Sequence, residues 1–515
     1  MTTASYHKDV VYTQNALERL HQIDRERKHW ERIAATLRWD QETYLPLRGV
    51  AERAEQLALV EGAVHRRAAD PEAGRLLREL GSETGNPGGG GGLPPVERDF
   101  LKVLRRAYDR AALLPQEFVE AAARAEGLSL AAWVEARRNN DFAALMPHLQ
   151  TMVDMARKKA AYWGFQGAEV YDALLDCYEP GFPAAELVRH FGILRERLSA
   201  LLRRIGPRGG EAFLGRDFDL GLQARYSREL MDTLGFDHDR GRLDTSAHPF
   251  TTTLGSHDVR ITTRYHRDNL VSGIFSTIHE LGHAFYELRA ALALGGSSLG
   301  EGASMGIHES QSRLWENVIG RSRAFWEGQF PRLQFFFPDQ LATRSLGAFY
   351  RGINQVRPSA IRIEADEVSY SLHIILRFEL EQGLFSGNLT VEELPAAWRA
   401  AMRDLLGVEP ETDAQGVLQD VHWAMGAFGY FPSYALGNLY GLQFWKKLCA
   451  DLPGIESAIA KGCFGPIHAW LGDQIHAWGR RLDPPDLLRR VTGETLSAYP
   501  FLEYLETKYT ELYGL

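Results

Sequence analysis

The 515-residue sequence predicts a mainly α-helical protein with one small β-hairpin. Two observations lead to that class. Apolar residues recur at three-, four- and seven-residue spacings through most of the chain, and a period-two alternation shows up at one place. The 45% apolar and 24% charged composition is that of a folded chain with a large core, not of a disordered one.

Along the chain, Ile23, Trp30, Ile33 and Leu37 fall on one helix face. Leu101, Leu104 and Tyr108 repeat the pattern. Residues 115–164 are rich in Ala, Glu, Arg and Leu, all good helix formers. Stretches near 310–320, 361–382, 395–406, 467–481 and 497–512 also read as helices. Residues 81–95, GSETGNPGGGGGLPP, interrupt the series. Five consecutive glycines lose too much backbone entropy in a helix or strand, so a flexible surface loop is expected. The run lacks the Lys and Ser/Thr that a phosphate loop needs. The hairpin is expected from residues 250–254 and 259–265 around Gly255-Ser256-His257-Asp258. Val259, Ile261, Thr263 and Tyr265 alternate there with Arg260, Thr262, Arg264 and His266, which implies one polar face.

The net charge is −9 and no basic tail is present. That balance argues against nucleic acid or an anionic membrane as partner. Cys177, Cys449 and Cys463 form no CxxC pair and cannot build a disulfide framework, so a reducing, cytoplasmic setting is expected. The start, MTTASYHKDVVYTQ, has no basic-then-apolar signal pattern, and no run of 18 apolar residues predicts a membrane span.

The chemistry-bearing motif is His279-Glu280-Leu281-Gly282-His283. Histidines four apart share a helix face, so both rings can reach one ion. Glu280 beside them can take a proton from a water activated at that ion. Chance alone would place such a motif in on the order of a few per cent of chains this long. Gly282 costs roughly 1 kcal/mol of helix stability against Ala, so something is expected to pack closely at that turn. A catalytic zinc has three protein ligands and an open position. Position 289 is Arg, so the third ligand is not a His six residues past His283. Glu309 in GIHESQSRLWENVIG is the leading candidate, with Glu316 and His308 as competitors.

Several motifs in order resemble the carboxypeptidase Taq family of metallocarboxypeptidases. They are RWDQETYLP from Arg38, HPF at His248, DVRIT at Asp258, HELGH at His279 and HESQ at His308. GINQ at Gly352, IRIEAD at Ile361 and GYFPSYALG at Gly429 complete the series. The resemblance covers nearly the whole chain. It implies a large, helical, saddle-shaped single domain over 1–515, with a deep groove between two helical lobes and the small hairpin beside the HELGH helix. It further implies a homodimer, a bound Zn2+ for which Co2+ or Mn2+ could substitute, Glu309 as third ligand, and peptides with a free C-terminus as substrates. The activity implied is broad release of single C-terminal residues, with C-terminal proline cleaved poorly.

Such an enzyme must recognise a carboxylate, and the planar guanidinium of Arg pairs with one bidentately. The resemblance points to Arg260 and Arg362 for this role. Arg362 would open a helix with Ile361, Ala365, Val368, Leu372 and Leu376 on its apolar face; the plainer reading is an ion pair with Asp366 one turn on. Tyr434, Tyr430 and His248 are candidates to stabilise the oxyanion. Gln355 can bind substrate backbone or be a buried structural amide, and His308 can back a ligand or touch substrate. An endopeptidase or peptidyl-dipeptidase would use the same HExxH scaffold. A non-catalytic scaffold with a closed structural site would need a fourth ligand, usually Cys, and none lies nearby.

Overall fold

The structure, a computed structural model, describes residues 3–81, 93–206 and 212–515. Residues 82–92, most of the expected glycine-rich loop, lie outside these. Helices dominate, and a three-stranded sheet is the one sheet among the described residues. A mainly α architecture with a small sheet beside the HELGH helix is therefore what the chain adopts.

The apolar residues gather into two clusters. The larger runs from Ala136 to Tyr509 and holds the HELGH helix at its centre. The smaller joins the first helix, Thr3–Thr43, to Pro71–Glu79 and Pro95–Ala112 through Leu20, Ile23, Leu76, Leu77, Leu101 and Leu104. Ile23 is buried there, but Trp30 and Ile33 are 39% and 44% exposed. The four predicted residues do share a helix face. The Leu76–Leu104 cluster covers only its first half, and Trp30 and Ile33 lie beyond its reach.

The hairpin forms as β2, Thr251–Gly255, and β3, Asp258–Thr263, paired antiparallel. A third strand, β1, Gly241–Thr245, was not predicted and pairs parallel with β3. β3 is therefore central, and its expected polar face is only partly solvated: Arg264 is exposed, Arg260 and His266 are half-buried, and Thr262 is buried. Thr262 and Thr263 are fully buried, and the Thr262 hydroxyl oxygen accepts from Phe250 N–H at 2.9 Å. Buried hydroxyls are tolerated because they are hydrogen-bonded.

The helix expected to open at Arg362 begins later, at Tyr370–Ser386. Arg362–Glu364 is one 3-10 turn between extended residues. Asp366 explains the delay. Its carboxylate accepts from the N–H groups of Arg357, Val368 and Ser369, so it caps the turn ahead. It does not pair with Arg362, which corrects the i,i+4 reading. The 467–481 stretch likewise divides into Gly465–Gln474 and a 3-10 segment, His476–Arg481.

Candidate active site

The motif helix, Leu270–Leu294, starts where the Asn269 side chain accepts from Ser272 N–H. Ile274, Phe275, Ile278, Leu281, Ala284 and Phe285 bury it on most sides. The ligand helix, Met305–Arg313, crosses it closely. A Cβ on Gly282 would come within 2.6 Å of the Gln311 carbonyl oxygen and Ser312 Cα. The close contact expected at Gly282 is thus the ligand helix itself, and only glycine allows it.

That crossing brings three side chains to one point. His279 Nε2 and His283 Nε2 lie 3.7 and 3.5 Å from the same Glu309 Oε2. The donor atoms of the three residues all lie within 4.8 Å of one another. Ligands ~2.1 Å from a shared tetrahedral centre sit about 3.4 Å apart, so the spacing fits a divalent ion such as zinc. The side chains of His279 and His283 keep 19% and 15% exposure against 7% for Glu309. The two imidazoles therefore keep some access to solvent, which a catalytic metal site needs and a closed structural site does not.

Each ligand is aimed by a second group. Arg313 Nε donates to Glu309 Oε1 at 2.7 Å, which turns Oε2 to the imidazoles. His279 Nδ1 lies 2.9 Å from Glu316 Oε2. His283 Nδ1 lies 2.6 Å from His308 Nδ1, whose Nε2 is 2.7 Å from Glu287 Oε1. One proton arrangement satisfies this chain: His283 Nδ1–H donates to His308, and His308 Nε2–H donates to Glu287. Both ligand Nε2 lone pairs are then free for an ion. Glu316 and His308, weighed earlier as ligands, stand behind the histidines instead. Burial and the neighbouring His308 push the His283 imidazolium down to about 3, so the ring is neutral.

Glu280 sits beside the cluster with 5% exposure. The Thr251 hydroxyl, at the start of β2, donates to its Oε2 at 2.6 Å. Burial raises its pKa above the usual carboxylate value, although His279 pulls the other way. A base poised closer to neutrality is the one suited to hand a proton on.

A third helix, Pro432–Asp451, closes the other side through Gly437 and Gly441, which lie against Glu309 and Ser310. Tyr434 is three residues before Gly437 and so near its face. The Tyr434 hydroxyl is 3.2 Å from His422 Nε2, and its ring lies 5.3 Å from that of Tyr430. Arg362 is stacked beside Tyr434, 4.9 Å from its ring centre. Its Nε and Nη2 donate to Asp420 Oδ1 at 3.0 and 2.9 Å, and Nη1 donates to the Tyr370 hydroxyl at 3.1 Å. Arg377 shares the same aspartate through Oδ2.

Arg260 is on β3, with Asp258 taking both its Nε and Nη2 at 2.9 Å. Its face lies 4.3 Å from the Trp39 ring, which brings the RWDQETYLP and DVRIT segments together. Its strand partner Thr252 is next to Thr251, the residue that bonds Glu280. His248 is exposed, and its carbonyl accepts from Ser246 Oγ. Gln355 is half-buried in the segment before Val356.

The family pattern described as Carboxypeptidase Taq (M32) metallopeptidase matches residues 19–509. The chain belongs to that family. It is 43% identical to thermostable carboxypeptidase 1 of Thermus thermophilus over 97% of this chain and 99% of the relative. It is 38% identical to carboxypeptidase 1 of Bacillus subtilis over 95% and 96%. The crystal structure of the M32 carboxypeptidase from Deinococcus radiodurans superposes with a TM-score of 0.92 at 39% identity, covering 97% of this chain and all of that one. The protein is accordingly a metallocarboxypeptidase, a peptide hydrolase.

For this M32 chain, sequence reasoning missed Thr251, Glu287, Arg313, Asp420 and His422. Only Arg313 has a spacing that could have marked it, one helical turn past Glu309; the other four act on residues of other elements. No helix among the described residues is long and apolar enough to cross a membrane. All three cysteines are free thiols.

Proposed function

We propose that this carboxypeptidase holds Zn2+ on His279, His283 and Glu309 and releases single C-terminal residues from peptides with broad specificity. What carries the reading is Glu280 beside three ligand atoms at tetrahedral spacing on a partly open cluster. The ion supplies Lewis acidity toward the scissile carbonyl and the attacking water. Two imidazoles and a carboxylate suit zinc, and Co2+ or Mn2+ fits the same donors.

Glu280 takes the proton of the attacking water and passes it to the leaving nitrogen. Thr251 holds the Glu280 carboxylate in place for both transfers. The Tyr434 hydroxyl stabilises the developing oxyanion, with Tyr430 and His248 as weaker candidates. Arg362 anchors the terminal carboxylate. Asp420 occupies the Nε–Nη2 edge of its guanidinium and Tyr370 takes one Nη1 hydrogen, so the remaining Nη1 and Nη2 hydrogens are what it offers substrate. Arg260 assists from the sheet, and His248 and Gln355 contact substrate. The chain acts as one catalytic domain, a cytoplasmic homodimer, on peptides with a free C-terminus.

The test is cleavage of matched peptide acids and peptide amides by zinc-loaded protein, read by mass spectrometry. An acid preference on the order of a hundredfold is expected, because a neutral amide forgoes the charge-assisted pairing that the guanidinium offers a carboxylate. Arg362→Ala should erode that preference through the acid alone. Equal cleavage of acid and amide by the parent protein would contradict the reading.

A further inference from the structure

Glu179 takes no part in the site described so far. It lies just past the Val170–Leu175 helix, and its side chain is fully buried. Among the described residues no Lys, Arg or His pairs with it. Its Oε1 accepts from Gly306 N–H and from the Ser433 hydroxyl at 2.9 Å, and the nearby Ser304 hydroxyl further favours its charged form. Its Oε2 has no partner. The preceding residue repeats the connection: the Tyr178 carbonyl accepts from Met305 N–H at 3.0 Å, and its ring packs edge-on to Tyr430 at 5.0 Å.

These donors open two helices. Ser304 caps the ligand helix, Gly306 is its second residue, and Glu309 follows three residues later. Ser433 is the second residue of the Pro432–Asp451 helix and directly precedes Tyr434. One buried oxygen thus touches the starts of both helices that flank the metal cluster. Two helix N-termini offset part of the cost of burying the charge. Position 306 is fitted to this carboxylate: a Cβ there would come within 2.7 Å of Oε1 and 2.9 Å of Oε2.

An uncompensated buried carboxylate is a costly way to join helices, and an apolar contact would join them more cheaply. What the carboxylate adds is direction, because two hydrogen bonds to one atom, one from each helix, fix where each helix begins. We propose that Glu179 is a positioning residue for the reaction. It ties the ligand helix and the Pro432–Asp451 helix to one point, and so sets Glu309 and Tyr434 relative to each other. The Tyr434 half rests on the role proposed for Tyr434 above; the Glu309 half does not.

The experiment measures Zn2+ affinity by chelator competition, and kcat and KM on a peptide acid, in the full-length holoenzyme. Glu179→Gln keeps an acceptor at Oε1 and should stay within threefold of the parent in both readouts. Glu179→Met should weaken Zn2+ binding and lower kcat, each at least tenfold, with KM within twofold. Ser433→Ala touches only the Tyr434 side; it should lower kcat three- to tenfold and leave Zn2+ affinity within threefold. Folded Glu179→Met protein with unchanged affinity and kcat would overturn the proposal. So would Glu179→Gln as impaired as Glu179→Met, or Ser433→Ala that weakens Zn2+ as much as Glu179→Met does. If Glu179→Met does not fold, Gly306→Ala displaces the carboxylate instead and should weaken Zn2+ at least tenfold; unchanged affinity there overturns the Glu309 half. Tyr434→Phe with normal kcat would remove the Tyr434 half, while weakened Zn2+ in Glu179→Met would still uphold the other.

Discussion

Gly437 stands against Glu309, so that a Cβ at 437 would come within 2.5 Å of Glu309 Cγ and 2.7 Å of its Cβ. Glu309 is thus held from behind by the backbone of a helix that contributes no residue to the His279–His283–Glu309 cluster. Gly437→Ala should push Glu309 off the cluster. Overpacking of this kind costs ~1–3 kcal/mol of stability. We expect at least a tenfold loss of Zn2+ affinity, measured by chelator competition, alongside a lowered melting temperature. Unchanged affinity would show that the Pro432–Asp451 helix yields at no cost to the site.

Glu309 and Glu316 make a matched pair. Glu309 faces both imidazoles, and Glu316 bonds His279 Nδ1 from behind. Glu309→Ala should abolish stoichiometric zinc. Glu316→Ala should still fill at saturating zinc, with affinity lower by roughly 10- to 100-fold, the usual effect of losing a group behind a ligand. Metal analysis after dialysis against graded chelator separates the two. Full occupancy in Glu309→Ala with loss in Glu316→Ala would reverse the assignment.

The HELGH helix and the meeting of Glu309 with its two histidines were legible in the sequence because helical spacing and donor chemistry are local signals. The close approach at Gly282 was legible too, since a glycine inside an apolar helix needs a reason. Three things were not. β1 carries little apolar alternation, and it is a strand because β3 already offers an edge. Asp366 looked like a helical partner for Arg362 by spacing, but its local N–H contacts won, and the guanidinium found Asp420, 58 residues away in sequence. The solvent exposure of Trp30 and Ile33 depends on how far a neighbouring cluster reaches, which no periodicity records.

Glu381 makes a contribution to stability that should fall as pH rises through the weakly acidic range. It is fully buried, with Trp423 Nε1–H donating at 2.8 Å, the Tyr171 hydroxyl at 2.8 Å and Gly429 N–H at 3.0 Å. Burial outweighs these bonds and pushes the carboxyl from 4.5 up to about 7. Between those values the folded chain holds a proton that the unfolded chain releases. Its contribution is therefore complete below the unfolded pKa and is lost as pH rises through the folded one. The slope is at most ~1.4 kcal/mol per pH unit. Urea unfolding at about pH 5 and about pH 7.5 should show a difference roughly 2 kcal/mol smaller in Glu381→Gln than in the parent. Equal differences would mean that Glu381 is ionised throughout.

The account centres on Glu280 as the group that moves the proton, and one variant tests that most directly. Glu280→Gln keeps the shape of the side chain and one acceptor for Thr251, and it removes the base. Zinc content by metal analysis and kcat on a peptide acid should be measured on the same preparation. We expect full zinc occupancy, an unchanged melting curve, and a kcat lower by roughly two to four orders of magnitude. A zinc-loaded Glu280→Gln protein that turns over at close to the parent rate would contradict the account.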